Sequence, residues 1–92
     1  MFTSGTLPHF IWDEVNLRKI AAHDIERYEV EEVFIREKRY EPRFRRAGKY
    51  IAEDGKVLKR YKVEGQAFSG RRLRVIFDEV GNAIRPVTAY SI

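Results

Sequence analysis

The sequence predicts an α+β fold: a short N-terminal strand, two helices, then an antiparallel sheet of three or four strands with the helices on one face. Three observations predict it. Apolar residues fall at helical spacing between residues 14 and 35, with Val30, Val33 and Phe34 the clearest set. From residue 37 the pattern changes to β-formers among basic residues: Tyr40, Phe44, Tyr50, Ile51, Val57, Tyr61 and Val63. Turn signals at Asp54-Gly55, Ser69-Gly70 and Gly81-Asn82 then divide the second half into strands.

The elements follow in order. Residues 1–8 read as a flexible leader, with Thr3-Ser4-Gly5-Thr6 punctuated by Pro8. His9-Phe10-Ile11-Trp12 reads as a short strand. Asp13 is a good N-cap, since its side chain can accept from the orphan N–H groups of the first turn. Val15, Ile20 and Ala22 give a stripe for a helix over 14–22. His23-Asp24 breaks it. Ile25 opens a second helix that ends near Ile35 or Arg36, with Glu29, Glu31 and Glu32 on its outer face. Pro42 marks an edge strand or a loop. Residues 60–68 alternate, with Tyr61, Val63 and Gly65 on one side and Arg60, Lys62 and Glu64 on the other. In 72–77, Leu73, Val75 and Phe77 face opposite to Arg72, Arg74 and Ile76. The last strand spans 83–90, and Pro86 requires an edge or a bulge there, because it has no N–H for the ladder.

Length and composition bound the function. Ninety-two residues make one domain, with room for one core and a shallow site. A hydrophobic fraction of 43% is enough for a packed core and excludes wholesale disorder. The chain has no cysteine, so disulfides, thiolate metal sites and cysteine nucleophiles are excluded. No apolar run approaches the roughly 18 residues of a membrane span. A cytoplasmic protein is the expectation.

Charge is unevenly divided. Residues 36–74 carry fourteen Lys/Arg against five acids, whereas 13–35 carry seven acids against three bases. A cationic middle of this strength points to a polyanion, and nucleic acid is the commonest one. Arg43, Arg45 and Arg46 lie on one stretch, Lys59, Arg60 and Lys62 on another, Arg71, Arg72 and Arg74 on a third. Aromatic residues are interleaved: Tyr40, Phe44, Tyr50, Tyr61 and Phe68. Arginine forks grip phosphates and ring faces accept bases. The plainer reading makes the aromatics core and leaves the arginines flanking it.

Catalytic motifs of other kinds are missing. Two histidines stand fourteen residues apart, and no His-x-x-x-His, Asp-x-Asp or calcium-loop pattern occurs, so no metal and no cofactor is expected. Gly-x-Ser-x-Gly is absent as well. His23, four residues after Lys19, can act as acid or base or contact a phosphate; a helix-capping role, bonded to a terminal carbonyl, is the plainer reading. Arg85, among Ile84, Pro86 and Val87, must find an acid such as Asp78 or Glu79, backbone carbonyls, or an anionic ligand.

Several segments resemble a known family. Phe10-Ile11-Trp12-Asp13-Glu14, Asn16, Lys19-Ile20-Ala21-Ala22-His23 and Val30-Glu31-Glu32-Val33-Phe34 are similar to the N-terminal signature of BrnT-type toxins, the ribonuclease members of a type II toxin–antitoxin pair. Tyr61 to Ala67 and Gly70 to Phe77 resemble their central hairpin, and Ile84 to Tyr90 their last strand. The likeness covers about 10–36 and 60–90. It implies a RelE-like fold, metal-independent cleavage of RNA, and inhibition by a cognate antitoxin. The family's helix-end His falls on His23, its post-hairpin Arg on Arg71 and its final-strand Arg on Arg85. Asp24 stands where the family often has Gly, Tyr90 where it often has Arg, and 37–59 is longer and more basic than the usual connection.

The mechanism expected from this likeness uses the substrate's own 2′-OH as nucleophile. His23 serves as acid or base, and Arg71 with Arg85 clamps the phosphorane. Arg60 and Tyr90 assist. Lys19, Lys59, Lys62, Arg72 and Arg74 bind the RNA backbone. An antitoxin segment bearing acids and an apolar stripe would mask this cationic face in a hetero-oligomer. Two alternatives make other demands: a non-catalytic nucleic-acid-binding module, and an interaction subunit whose sheet edge, weakened by Pro42 or Pro86, takes a partner strand.

Overall fold

A computed structural model of the chain describes the backbone of residues 9–37, 45–51 and 57–92, and the side chains of 9–35 and 59–92. The element order is β1 (His9–Phe10), α1 (Glu14–Ala21), α2 (Arg27–Glu37), β2 (Arg45–Ile51), β3 (Val57–Gln66), β4 (Arg72–Val80) and β5 (Ala83–Ser91). This is the α+β layout read from the sequence. The leader, Pro42 and the Asp54-Gly55 turn lie outside the described residues, as do the side chains of Arg43, Arg45 and Arg46.

The strands form one sheet in the order β1-β5-β4-β3-β2. The four from β2 to β5 make an antiparallel meander. β1 departs from the expectation of a wholly antiparallel sheet, because it pairs in parallel with β5, His9 opposite Ala83 and Phe10 opposite Ile84. Strand periodicity reports which face a residue takes and is silent about the direction of a neighbour. The parallel pair joins the first and last strands, with the helices and the meander as the connection.

Local chemistry explains the boundaries. Asp13 caps α1, its carboxylate accepting from Asn16 N–H at 3.0 Å. Asn16 Oδ1 accepts from Asp13 N–H at 2.8 Å and completes a capping box. At the far end, Ile25 N–H donates to the Ile20 carbonyl and Asp24 N–H to the Ala21 carbonyl. These two bonds make a Schellman closure, with Ile20 and Ile25 buried beside it. Asp24 takes the left-handed conformation at φ 59°, the position where glycine is free of strain. Glu29 Oε1 accepts from Glu26 N–H and steadies the start of α2.

The expected face of α1 needs correction. Val15 is 57% exposed, and Ala22 is exposed too. The inward positions are Asn16 and Ile20, four residues apart on one face. An asparagine is tolerated there because its amide is satisfied: Nδ2 donates to the Ile11 and Pro86 carbonyls, both at 2.9 Å. Glu29, expected outside, is buried, since it serves the α2 cap and faces Arg71.

The core lies between the helices and one sheet face. α1 packs on β5, and α2 on β3 and β4. Ile20, Ile25, Val30, Val33 and Phe34 meet Val63, Leu73, Val75, Phe77, Ile84 and Ala89. Aromatic contacts run through it: Phe10 on Phe34 at 5.3 Å, Phe34 on Phe77 at 5.3 Å, Phe77 on Tyr61 at 5.7 Å. Of the edge or bulge expected at Pro86, the structure has the bulge. Ile76 faces Thr88 and Phe77 faces Pro86, so Val87 is the extra residue.

Asn16 joins three elements, so its loss should be felt throughout. Replacing Asn16 with Ala leaves the buried Pro86 carbonyl, the part-buried Ile11 carbonyl and the Asp13 N–H without this partner and should cost about 2–4 kcal/mol. Urea unfolding checks this; a loss under about 0.5 kcal/mol would show that water replaces the amide freely.

Candidate functional site

Strand alternation sorts the charged residues onto the sheet face opposite the core. Tyr61, Val63, Leu73, Val75, Phe77, Ile84 and Ala89 serve the core. Arg60, Lys62 and Glu64 on β3, Arg72, Arg74 and Asp78 on β4, and Arg85 and Tyr90 on β5 take the other side. The register builds three rungs: Glu64–Arg74–Tyr90, Lys62–Ile76–Thr88 and Arg60–Asp78–Arg85. Lys59 alternates to the side of Tyr61 and does not share the face of Lys62.

Four arginines expected to meet RNA are engaged by the protein itself. Arg60 holds Asp78 through two bonds of 2.8 and 3.0 Å, and Asp78 is only 1% exposed. Arg85 lies opposite Asp78 in register, but that carboxylate is occupied by Arg60. Arg85 turns instead to Asp13 Oδ2, with Nε at 3.1 Å and Nη2 at 2.9 Å. Neither Asp78 nor Glu79 is therefore its partner. Arg74 donates to Glu64 Oε1 at 2.9 and 3.1 Å. Arg71 spans the corner between the helices and β5: its guanidinium donates to the Asp24 carbonyl at 2.7 Å, to Ser91 Oγ at 2.9 Å, and to Glu29 at 3.4 Å.

The expected clamp of Arg71 with Arg85 is not assembled. Arg71 bonds Ser91 at one end of β5, and Arg85 stands six residues away, about 20 Å along the strand. One phosphorane cannot span both. Arg60 belongs with Arg85 at the far end.

Four expected site residues do converge. The His23 ring lies 6.0 Å from that of Tyr90, tilted by 50°. Arg74 stands over the Tyr90 ring at 5.6 Å and donates to its hydroxyl at 3.3 Å. Arg71 grips the carbonyl of Asp24, the residue after His23. The Tyr90 bond and then the Glu64 bond raise the pKa of Arg74, so it remains a fixed cation. His23 is exposed, and its imidazole has no hydrogen-bond partner among the described residues. The capping role considered for that ring is filled by the backbone closure instead. Lys19 is exposed one helical turn earlier, and Arg72 is exposed two residues before Arg74 on the same sheet face. Among the described residues, Lys19, Lys59, Lys62 and Arg72 make no ion pair.

This corner can bind an anion and move a proton. Lys19 and Arg72 offer cations that pair with no acid among the described residues, His23 an exposed imidazole, and Tyr90 a hydroxyl and an aromatic face. Among the described residues, no three His, Asp or Glu side chains are grouped closely enough to hold a metal ion. None of the described helices is long and apolar enough to cross a membrane. Sequence reasoning missed Asp13, Glu29 and Glu64 as arginine partners. The one local signal was alternation, which puts Glu64 on the side of Lys62.

Comparison with family models, curated proteins and solved structures finds no match for the chain.

Asp13 gives the site's surroundings a defined pH dependence. Its carboxyl is held below its ordinary 3.8, chiefly by the Asn16 N–H bond; burial opposes this, and the Arg85 bond adds to it. A lowered folded pKa contributes stability that is full above the unfolded value and lost as pH falls through the folded one. Asparagine keeps the cap and loses the charge pair, whose side chains are 31% and 39% exposed. Asp13→Asn should therefore cost up to about 1 kcal/mol at neutral pH and progressively less below about pH 4. Denaturation midpoints across pH check this; a cost that is constant from neutral to acid would contradict it.

Proposed function

We propose that this chain is a metal-independent endoribonuclease of the BrnT toxin type, with its reacting centre at the His23–Tyr90 corner and a cognate antitoxin as its inhibitor. The observation that carries the proposal is the pairing of His23 with Tyr90 beside Arg74 and Arg71. The resemblance implies a role for His23, while Tyr90 stands where the family often has Arg, and these residues, 67 positions apart, meet. The α+β layout is compatible with a RelE-like fold.

The chemistry follows from RNA itself. The 2′-oxygen attacks the adjacent phosphorus while a base takes its proton. The P–O5′ bond breaks, and an acid delivers a proton to the leaving 5′-oxygen, leaving a 2′,3′-cyclic phosphate and a 5′-hydroxyl. His23 takes one of these roles. Tyr90 stacks on a base or bonds a phosphate oxygen. Lys19 and Arg72 offset the charge on the phosphorane. Arg71 holds the α1–α2 corner against β5 and so fixes where His23 stands. Arg60 and Arg85 are assigned to architecture, a change from the clamp expected of Arg85. Lys62 lies on the same sheet face and steers the RNA backbone.

A second function has its own support. Among the described residues, the engagement of Arg60, Arg71, Arg74 and Arg85 by carboxylates leaves few cations for a transition state, as in a non-catalytic RNA-binding module or a degenerate toxin-like interaction subunit.

Cleavage of a labelled single-stranded RNA in EDTA separates the two. The ribonuclease predicts cleavage that survives chelation and falls about 10²-fold or more in His23→Ala. Arg85→Ala should lose stability but retain cleavage per folded molecule. RNA that is bound and stays intact would move the binding module to first place. A loss in Arg85→Ala equal to that in His23→Ala, with the fold preserved, would restore Arg85 to the site.

A further inference from the structure

The side of α2 turned away from the core carries large apolar residues that folding does not use. Val30, Val33 and Phe34 are buried. Tyr28, Glu32 and Ile35 lie on the opposite strip, spaced by four and three residues, so they stack along one line of the helix. Tyr28 is 55% exposed and Ile35 38%. The β3–β4 turn brings a third such residue: Phe68, 58% exposed, whose N–H donates to Glu32 Oε1 at 2.9 Å. That bond seats the turn against the strip. The turn is closed by Gly70 N–H on the Ala67 carbonyl and Ala67 N–H on the Arg71 carbonyl, with Gly70 at φ 94°.

The charge around this strip is opposite to that of the sheet face. Among the described residues, Glu26, Glu31 and Glu32 stand around it against Arg27, while the buried Glu29 is paired with Arg71. Glu26, Glu29 and Glu32 all act on Tyr28 and, with its partial desolvation, raise its pKa, so the carboxylates are felt at its hydroxyl. Glu31 is held in place by Trp12 Nε1–H at 2.8 Å and Glu32 by the Phe68 N–H.

We propose that Tyr28, Glu32, Ile35 and Phe68 form a docking surface for a segment of another protein that carries apolar side chains flanked by lysines or arginines. Charge complementarity selects this occupant. RNA would bring phosphates against the carboxylates of Glu26, Glu31 and Glu32. A second copy docked strip to strip would bring Glu31 and Glu32 of both molecules together. Its four residues are not those of the His23–Tyr90 corner, Arg71 lying between the two, and the proposal stands whether or not the chain cleaves RNA.

Two synthetic amphipathic helices test it, one of leucine and lysine and one of leucine and glutamate, equal in length and free of tryptophan. Trp12 is the chain's only tryptophan and touches Glu31, so its emission reports docking. The leucine–lysine peptide should bind at least about tenfold more tightly than its acidic counterpart, and Tyr28→Ser with Ile35→Ser should weaken it about tenfold or more. Phe68→Ser, at an exposed turn position, should weaken it without disturbing the fold. Equal affinity for the two peptides, no saturable binding, or binding unchanged in the variants overturns the proposal. Weakened RNA binding in Tyr28→Ser/Ile35→Ser, with peptide binding intact, overturns it in favour of a nucleic-acid surface.

Discussion

The carboxamide of Asn16 is the constraint on which the rest of the structure depends. It is 1% exposed and uses its oxygen and both N–H groups, on the Asp13 N–H and on the carbonyls of Ile11 and Pro86. A buried amide is costly unless satisfied, so the three elements that satisfy it are held in one arrangement. The exit from β1, the start of α1 and the bulge of β5 are those elements. The same junction positions Asp13, which caps α1 and takes Arg85. From there α1 runs along β5 and delivers His23 to Tyr90. A junction at one end of the strand thus determines what meets at the other.

Stability and surface charge come from different sources. Burying side chains such as Phe77, Leu73 and Ile84 contributes about 1.5–3 kcal/mol each, whereas partly exposed ion pairs contribute about 0–1. The pairs Arg85–Asp13 and Arg74–Glu64 therefore add little to the total, whereas Asp78 is buried and needs Arg60 to satisfy its charge. Their effect is to fix direction: Arg60 is turned onto Asp78, Arg85 onto Asp13 and Arg74 onto Glu64. Among the described residues, this leaves Lys19, Lys62 and Arg72 for a ligand on the side of His23 and Tyr90, with Lys59 on the other sheet face. Of the six bases of 36–74 whose side chains are described, Arg60, Arg71 and Arg74 are engaged by carboxylates.

The layout was legible where periodicity and turn chemistry act locally. Alternation sorted Leu73, Val75 and Phe77 from Arg72, Arg74 and Ile76, and proline's missing N–H marked Pro86 as the place of an edge or a bulge. Two features escaped for physical reasons. Asn16 lies inward because of partners far along the chain, and no apolar pattern marks it. β1 is parallel to β5 because of how the ends of the chain meet. The candidate site was legible as a set of residues and illegible as a geometry. His23 and Tyr90 were both singled out, and they meet. Arg71 and Arg85 were joined in one clamp, yet Arg85 is drawn to Asp13, an acid 72 positions earlier whose visible role was a helix cap.

The central claim is that the paired arginines are architecture and that RNA meets the protein at the His23–Tyr90 corner. Its most direct test is the map of NMR shift changes when a short RNA with 2′-O-methyl groups, which cannot be cleaved by 2′-OH attack, is titrated into the protein. The account predicts changes centred on Lys19, His23, Arg72 and Tyr90, with the side-chain signals of Arg60 and Arg85 unmoved. Changes centred on Arg60, Asp78 and Arg85, with His23 silent, would contradict it.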